Sequence, residues 1–183
     1  MTLITLTTDF GTSDPWVGIM KGVIASRAPG IAVIDVTHGI PPQDVLAGAL
    51  VLRHAVPYFP RDAVHVAVVD PGVGTARRAL AVEAGESILV GPDNGLLPRA
   101  ADALGGISRA VVLDKAGWFA GTVSATFHGR DVFAPVAARL ALGADLADAG
   151  STVDGVATVH RPLWMSDVDS TAAIVRHALE LAR

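Results

Sequence analysis

In the run Val68-Val69-Asp70-Pro71-Gly72-Val73-Gly74-Thr75-Ala76-Arg77-Arg78 an apolar segment meets a carboxylate, a glycine-rich turn and two arginines. Ala63 to Val69 is apolar enough to be a strand buried on both faces, and open α/β sheets bind ligands at the C-terminal ends of such strands. The spacing therefore delivers Asp70 to a ligand-binding edge. Two nucleotide-binding loops are excluded. Gly72-Val73-Gly74-Thr75-Ala76-Arg77 carries arginine where a dinucleotide fingerprint needs its third glycine, and the chain has no Gly-Lys-Ser or Gly-Lys-Thr for a Walker loop. A tight turn with an Asp cap and two solvated arginines fits the same residues.

Further polar groups fall in loops that follow strands: Asp9 and Asp14, His38, Asp93 with Asn94, and Thr126-Phe127-His128-Gly129-Arg130-Asp131. No close His or carboxylate spacing of the metal-site kind occurs, so no metal and no cofactor are expected. His38, before Gly39-Ile40-Pro41-Pro42, suits a residue that holds a bend by bonding to backbone. Asp93-Asn94-Gly95 is a good turn sequence in its own right. His128 lies just before a predicted helix, whose dipole disfavours imidazolium and leaves a neutral ring able to accept or relay a proton. Asp14 and Asp131 suit helix N-termini.

The elements that must position these groups alternate. Thr2 to Thr8 reads as a strand, Pro15 to Ala28 as a helix, Ile31 to Val36 as a strand and Gln43 to Val56 as a helix. After the Asp70 strand, Ala79 to Ala84 and Ser87 to Val90 read as two strands joined at Gly85-Glu86. Leu96 to Leu104 reads as a helix, Ala110 to Leu113 as a strand and Val132 to Leu142 as a helix. The expected fold is α/β, a mostly parallel central sheet with helices on both faces and a local antiparallel excursion at 79–90. Residues 1–161 form the expected α/β domain, and 162–183 a linker and an amphipathic helix with Ile174, Val175, Ala178 and Leu181 on one face.

Composition narrows the function. The chain has 183 residues, 51% of them apolar and 17% charged, with a net charge of −4. That is neither a nucleic-acid footprint nor a disordered tail, and it favours small-molecule chemistry. There is no cysteine, hence no thiolate chemistry. No signal-peptide pattern or membrane-length apolar run occurs, so the expectation is a cytoplasmic protein with no membrane partner.

Taken in order, Thr7-Thr8-Asp9-Phe10-Gly11-Thr12, Asp35-Val36-Thr37-His38-Gly39-Ile40, Val69 to Thr75, Gly91-Pro92-Asp93-Asn94-Gly95-Leu96 and Thr126 to Asp131 resemble the S-adenosyl-L-methionine (SAM) hydroxide adenosyltransferases, relatives of the fluorinase and chlorinase. The resemblance runs over roughly residues 2 to 160. It implies hydrolysis of SAM to adenosine and L-methionine by water or hydroxide attacking the ribose 5′ carbon. It implies Asp70, Arg77 and His128 as the catalytic set, and Asp9 as the carboxylate that holds the ribose hydroxyls. Thr75, Asp93, Asn94 and Gly129 are the further substrate-binding positions expected. Gly129 offers no hydroxyl where the fluorinase has a serine, and Asp70 would repel a halide, so water is the expected nucleophile. The resemblance also implies a homo-oligomer, a trimer, and a C-terminal β-barrel that this sequence is expected to lack. An active hydrolase with a completed adenine side, a binding module without turnover, and a truncated product are the three resulting alternatives.

Overall fold

The strands form where β-branched and apolar residues run together, and the breaks fall at Gly, Pro and Asp. In the computed structural model, which describes residues 2–158, β1 (Leu3–Thr8), β2 (Ala32–Thr37), β3 (Val64–Val68), β4 (Ala79–Ala84), β5 (Ser87–Pro92), β6 (Ile107–Leu113) and β7 (Gly150–Thr152) make one sheet. Its strand order is β2-β1-β3-β5-β4-β6-β7. Helices α1 (Trp16–Arg27), α2 (Val45–Ala55), α3 (Pro98–Ala103) and α4 (Ala134–Ala141) cover it.

The expectation of a mostly parallel sheet holds only for half of it. Pairs β1–β2, β1–β3 and β3–β5 are parallel, whereas β4–β5, β4–β6 and β6–β7 are antiparallel. The cause is the two-residue connection Gly85-Glu86, which folds β4 back on β5, since a parallel pair needs a long crossover. The excursion then extends through β6 and β7. Strand β7 was not anticipated, because Gly150-Ser151-Thr152 has no hydrophobic alternation. The expected C-terminal helix lies outside the described residues.

Both faces of the centre are dry. Val64, Val66 and Val68 of β3 pack with Met20 and Ile24 of α1 and Val136 and Leu140 of α4. Ala67 and Val69 turn the other way, against Ala49 and Leu52 of α2 and Ala100 of α3. This is why 63–69 reads as an unbroken apolar run. Gly91 fits the same packing, since a Cβ there would stand 2.4 Å from the Ala67 carbonyl oxygen on the neighbouring strand.

Helix α2 starts at Asp44, whose carboxylate accepts from the Ala47 amide at 2.9 Å. Asp44→Ala is expected to cost about 1 kcal/mol, read as a lower urea midpoint with unchanged slope. Asp14, by contrast, makes no cap: α1 begins after Pro15 without a side-chain cap bond. Among the described residues no helix is long and apolar enough to cross a membrane.

Candidate active site

Strands β1, β2, β3 and β5 run parallel, so the loops carrying Asp9, His38, Asp70 and Asp93 leave from the same edge of the sheet. There the backbone must bring the 70–77 turn to the 124–128 loop. Gly74 permits this: its φ is +76°, and a Cβ on it would lie 2.3 Å from the Ala125 carbonyl oxygen. Thr75 ties the turn internally, donating to the Gly72 carbonyl at 2.7 Å.

The turn delivers Arg77 onto Asp70 and His128 together. Arg77 Nε donates to Asp70 Oδ1 and Oδ2 at 3.0 and 3.1 Å, and a terminal nitrogen donates to Asp70 Oδ2 and to His128 Nδ1, the latter at 2.7 Å. The side chains of Arg77 and Asp70 are only 10% and 5% exposed. The buried Phe133 ring sits 5.4 Å from the guanidinium on another side. Arg77 is thus not a solvated turn residue but the hub of a part-buried, charge-assisted triad.

His128 precedes a π-helical turn, Gly129–Phe133, that runs into α4. Pro135 explains why the helix is irregular here. It has no N–H for the Asp131 carbonyl, which instead accepts from Ala120 at 2.8 Å. Burial first, then the Arg77 guanidinium, holds His128 below the ordinary imidazole range, against opposing pulls from Asp70 and Asp131. The ring is therefore neutral at pH 7, as the sequence suggested, through burial and Arg77 rather than through the helix dipole. Because Nδ1 accepts from Arg77, the neutral ring carries its proton on Nε2. Asp131 is a brace: its carboxylate accepts from Arg130 and from the Ser124 amide, and these hydrogen bonds lower its pKa although burial acts to raise it.

Asp70 and His128 face a groove of about 310 Å³, lined also by Asp9 and Gly129 together with Phe10, Trp16 and Phe127. Asp9 reaches it with one carboxylate oxygen already engaged, since Oδ2 accepts from the Gln43 amide at 2.8 Å. Asp9, Asp70, His128 and Gly129 line the groove as the sequence implied, and Arg77 stands behind it, bonded to Asp70 and His128. Thr75, Asp93 and Asn94 do not line the groove. Asp93 accepts from Arg78 and from the Ala157 amide, both at 2.6 Å. Asn94 donates to the Val69 carbonyl and accepts from the Leu96 amide. Among the described residues no three His, Asp or Glu side chains gather to hold a metal ion.

Sequence reasoning passed over the aromatic wall. Phe127 meets Phe10 and Trp16 edge to face, with ring centres 5.8 and 5.3 Å apart, and Arg130 stacks on Phe127 at 5.2 Å. The chain has only three Trp, one Tyr and five Phe, so three of nine aromatics on one groove was an available signal. Gln43 was also missed, and it is the one described non-glycine residue with positive φ, at 65°.

Residues 4–150 match the family model described as the SAM hydroxide adenosyltransferase N-terminal domain. The chain belongs to this family. A SAM hydroxide adenosyltransferase relative from Salinispora arenicola, named (R)-S-adenosyl-L-methionine hydrolase, is 62% identical over 87% of this chain and 60% of its own length. A protein of the same name from Thermus thermophilus is 49% identical over 87% of this chain and 64% of its own. A fluorinase from Actinoplanes is more distant, 28% identical over 81% of this chain and 57% of its own. A crystal structure of an uncharacterized conserved protein from Thermotoga maritima superposes with a TM-score of 0.84 at 36% identity, over 86% of this chain and 61% of that one. The chain thus spans about 60% of the length of these SAM hydroxide adenosyltransferase relatives.

Proposed function

We propose that this chain carries the catalytic half of a SAM hydrolase that forms adenosine and L-methionine. The observation that carries the proposal is the part-buried Asp70–Arg77–His128 cluster beside an aromatic-walled groove, in a chain whose 45–62% identical relatives are named for that activity.

The chemistry follows from the donors and acceptors. Arg77 orients the Asp70 carboxylate while leaving lone pairs free, and His128 presents Nε2–H as a donor. A water held between them donates to Asp70 and accepts from His128, which aims its remaining lone pair at the ribose 5′ carbon. As the new C–O bond forms, the C5′–S bond breaks and its electron pair stays on sulfur, giving a neutral thioether. The water's proton passes to Asp70. The leaving group starts as a cation, so no general acid is required. His128 therefore orients and Asp70 takes the proton, which refines the shared role the sequence suggested.

Asp9 has Oδ1 left for a ribose hydroxyl once Gln43 has taken Oδ2, and this fixes the sugar for in-line attack. The Phe10, Trp16 and Phe127 rings offer a surface for the base and an attractive face for the sulfonium charge. Water rather than halide fits the site: Asp70 repels an anion, and a Cβ on Gly129 would already approach Met20 Sδ at 3.1 Å. Thr75, Asp93 and Asn94 enter this proposal as residues that shape the loops around the groove. The proposal includes a homotrimer, which light scattering would read as three chain masses.

The test is incubation with SAM in ¹⁸O-enriched water. Wild type is expected to release methionine and adenosine labelled at the 5′ oxygen, and Asp70→Asn to release neither at a comparable rate. Unlabelled adenosine would reject hydrolysis by water, and no product at high protein concentration would reject a chain that turns over by itself.

A further inference from the structure

His38 is 6% exposed, yet neither of its ring nitrogens bonds to backbone as the sequence suggested. Nδ1 lies 2.8 Å from Thr8 Oγ1, and Nε2 makes no aligned hydrogen bond but has the Asp35 carboxylate beside it, with Oδ1 3.0 Å away. Lys21 donates to the other Asp35 oxygen at 2.6 Å. Burial raises the Asp35 pKa, but the contacts from Lys21 and His38 outweigh it, and the carboxyl is held below its usual range.

The direction of this chain of contacts can be assigned. A carboxylate beside Nε2 keeps the proton of a neutral imidazole there, so Nδ1 accepts and the Thr8 hydroxyl donates. Thr8 Oγ1 in turn accepts from the Phe10 amide at 3.2 Å. The His38 carbonyl meanwhile accepts from the Gly11 amide at 2.8 Å. One residue thus holds both ends of the Asp9-Phe10 dipeptide, through Thr8 before it and Gly11 after it. Thr8 is fully buried, which rules out a nucleophile in this hydroxyl, imidazole and carboxylate series.

We propose that His38 is a positioning residue that sets Asp9 and Phe10 in the groove through Thr8, with Asp35 and Lys21 fixing its tautomer. The consequence for ligands rests on Asp9 as the ribose carboxylate proposed above. The loop that carries His38 also supplies the Gln43 amide to Asp9, so backbone and carboxylate are fixed from one segment.

The experiment combines amide hydrogen exchange with calorimetric titration of adenosine, on the full chain. Thr8→Val keeps the side-chain shape and deletes the hydroxyl. It and His38→Ala are expected to speed exchange of the Phe10 amide roughly tenfold or more, with β3 amides unchanged. Both are expected to weaken adenosine binding roughly tenfold, the scale of one lost buried hydrogen bond. His38→Gln, which keeps an acceptor for Thr8 and a donor for Asp35, is expected to restore most of both. In an Asp9→Asn background His38→Ala should weaken binding little further, because the two changes act on one contact. Unchanged Phe10 exchange in Thr8→Val would overturn the proposal, as would full additivity with Asp9→Asn. Adenosine binding that ignores Asp9→Asn would instead reject Asp9 as the ribose ligand, and Phe10 exchange would still decide the role of His38.

Discussion

On the proposed hydrolase reaction, Arg77→Ala is expected to lower SAM turnover by roughly 10³-fold or more and to reduce stability by about 3–5 kcal/mol, the loss seen when one partner of a buried ion pair is removed. Three consequences follow from deleting one guanidinium. Asp70, with a side chain 5% exposed, loses the cation that faces it through three hydrogen bonds. His128 loses the donor that fixes its tautomer, so Nε2 no longer has to be the protonated nitrogen. Phe133 loses its cation contact. Arg77→Lys separates these effects, because a single ammonium cannot serve both Asp70 and His128 with a fixed fork of donors. It should recover much of the urea midpoint while leaving turnover low. Wild-type turnover in either variant would show that the cluster is a structural ion pair and not the reacting centre.

How much of this was legible beforehand depends on the range of the interaction that decides each feature. Strands β1 to β6 and helices α1 to α4 are local patterns, and they lie within a few residues of where periodicity and Gly or Pro breaks put them. The pairing of β6 with β4, and the existence of β7, depend on which edges remain free after β5 inserts beside β3, which no local pattern encodes. The same holds for the site. Asp9, Asp70 and His128 were legible as loop residues after strands or before a helix. That Arg77 bonds His128 across 51 positions, while adjacent Arg78 turns to Asp93, is set by the Gly74 turn against Ala125. His38 was legible as a residue that holds a bend, but its partner Thr8 lies on β1, which meets β2 only in the fold, while Asp35 stands three residues before it.

Acid is expected to weaken the fold through a residue remote from catalysis. His65 lies mid-strand in β3 with no exposure. Its Nδ1 is 2.8 Å from Thr5 Oγ1, and Nε2 has no hydrogen-bond partner. Phe59 packs edge-on against the ring at 5.7 Å. Burial pushes its pKa down to about 4 from 6.5, so between those values the unfolded chain binds a proton that the folded chain refuses. Stability therefore falls as pH drops through that window, by about 3 kcal/mol once pH reaches 4, and this term is absent above pH 7. Asp35, Asp131 and Asp145 have pKa values lowered from 3.8, so their contributions are lost mostly below that pH and touch only the acid end of the window. His128, also held low, acts in the same sense, so the informative quantity is a difference between variants. Replacing the pair together, Thr5→Val with His65→Val, removes the ring without orphaning the hydroxyl and puts β-branched residues on a dry sheet face. The gap between the urea midpoints at pH 7 and pH 4.5 should be smaller in this double variant than in wild type. An equal gap in both would mean that the folded state accepts the proton on His65, which requires water or a counter-charge to reach Nε2.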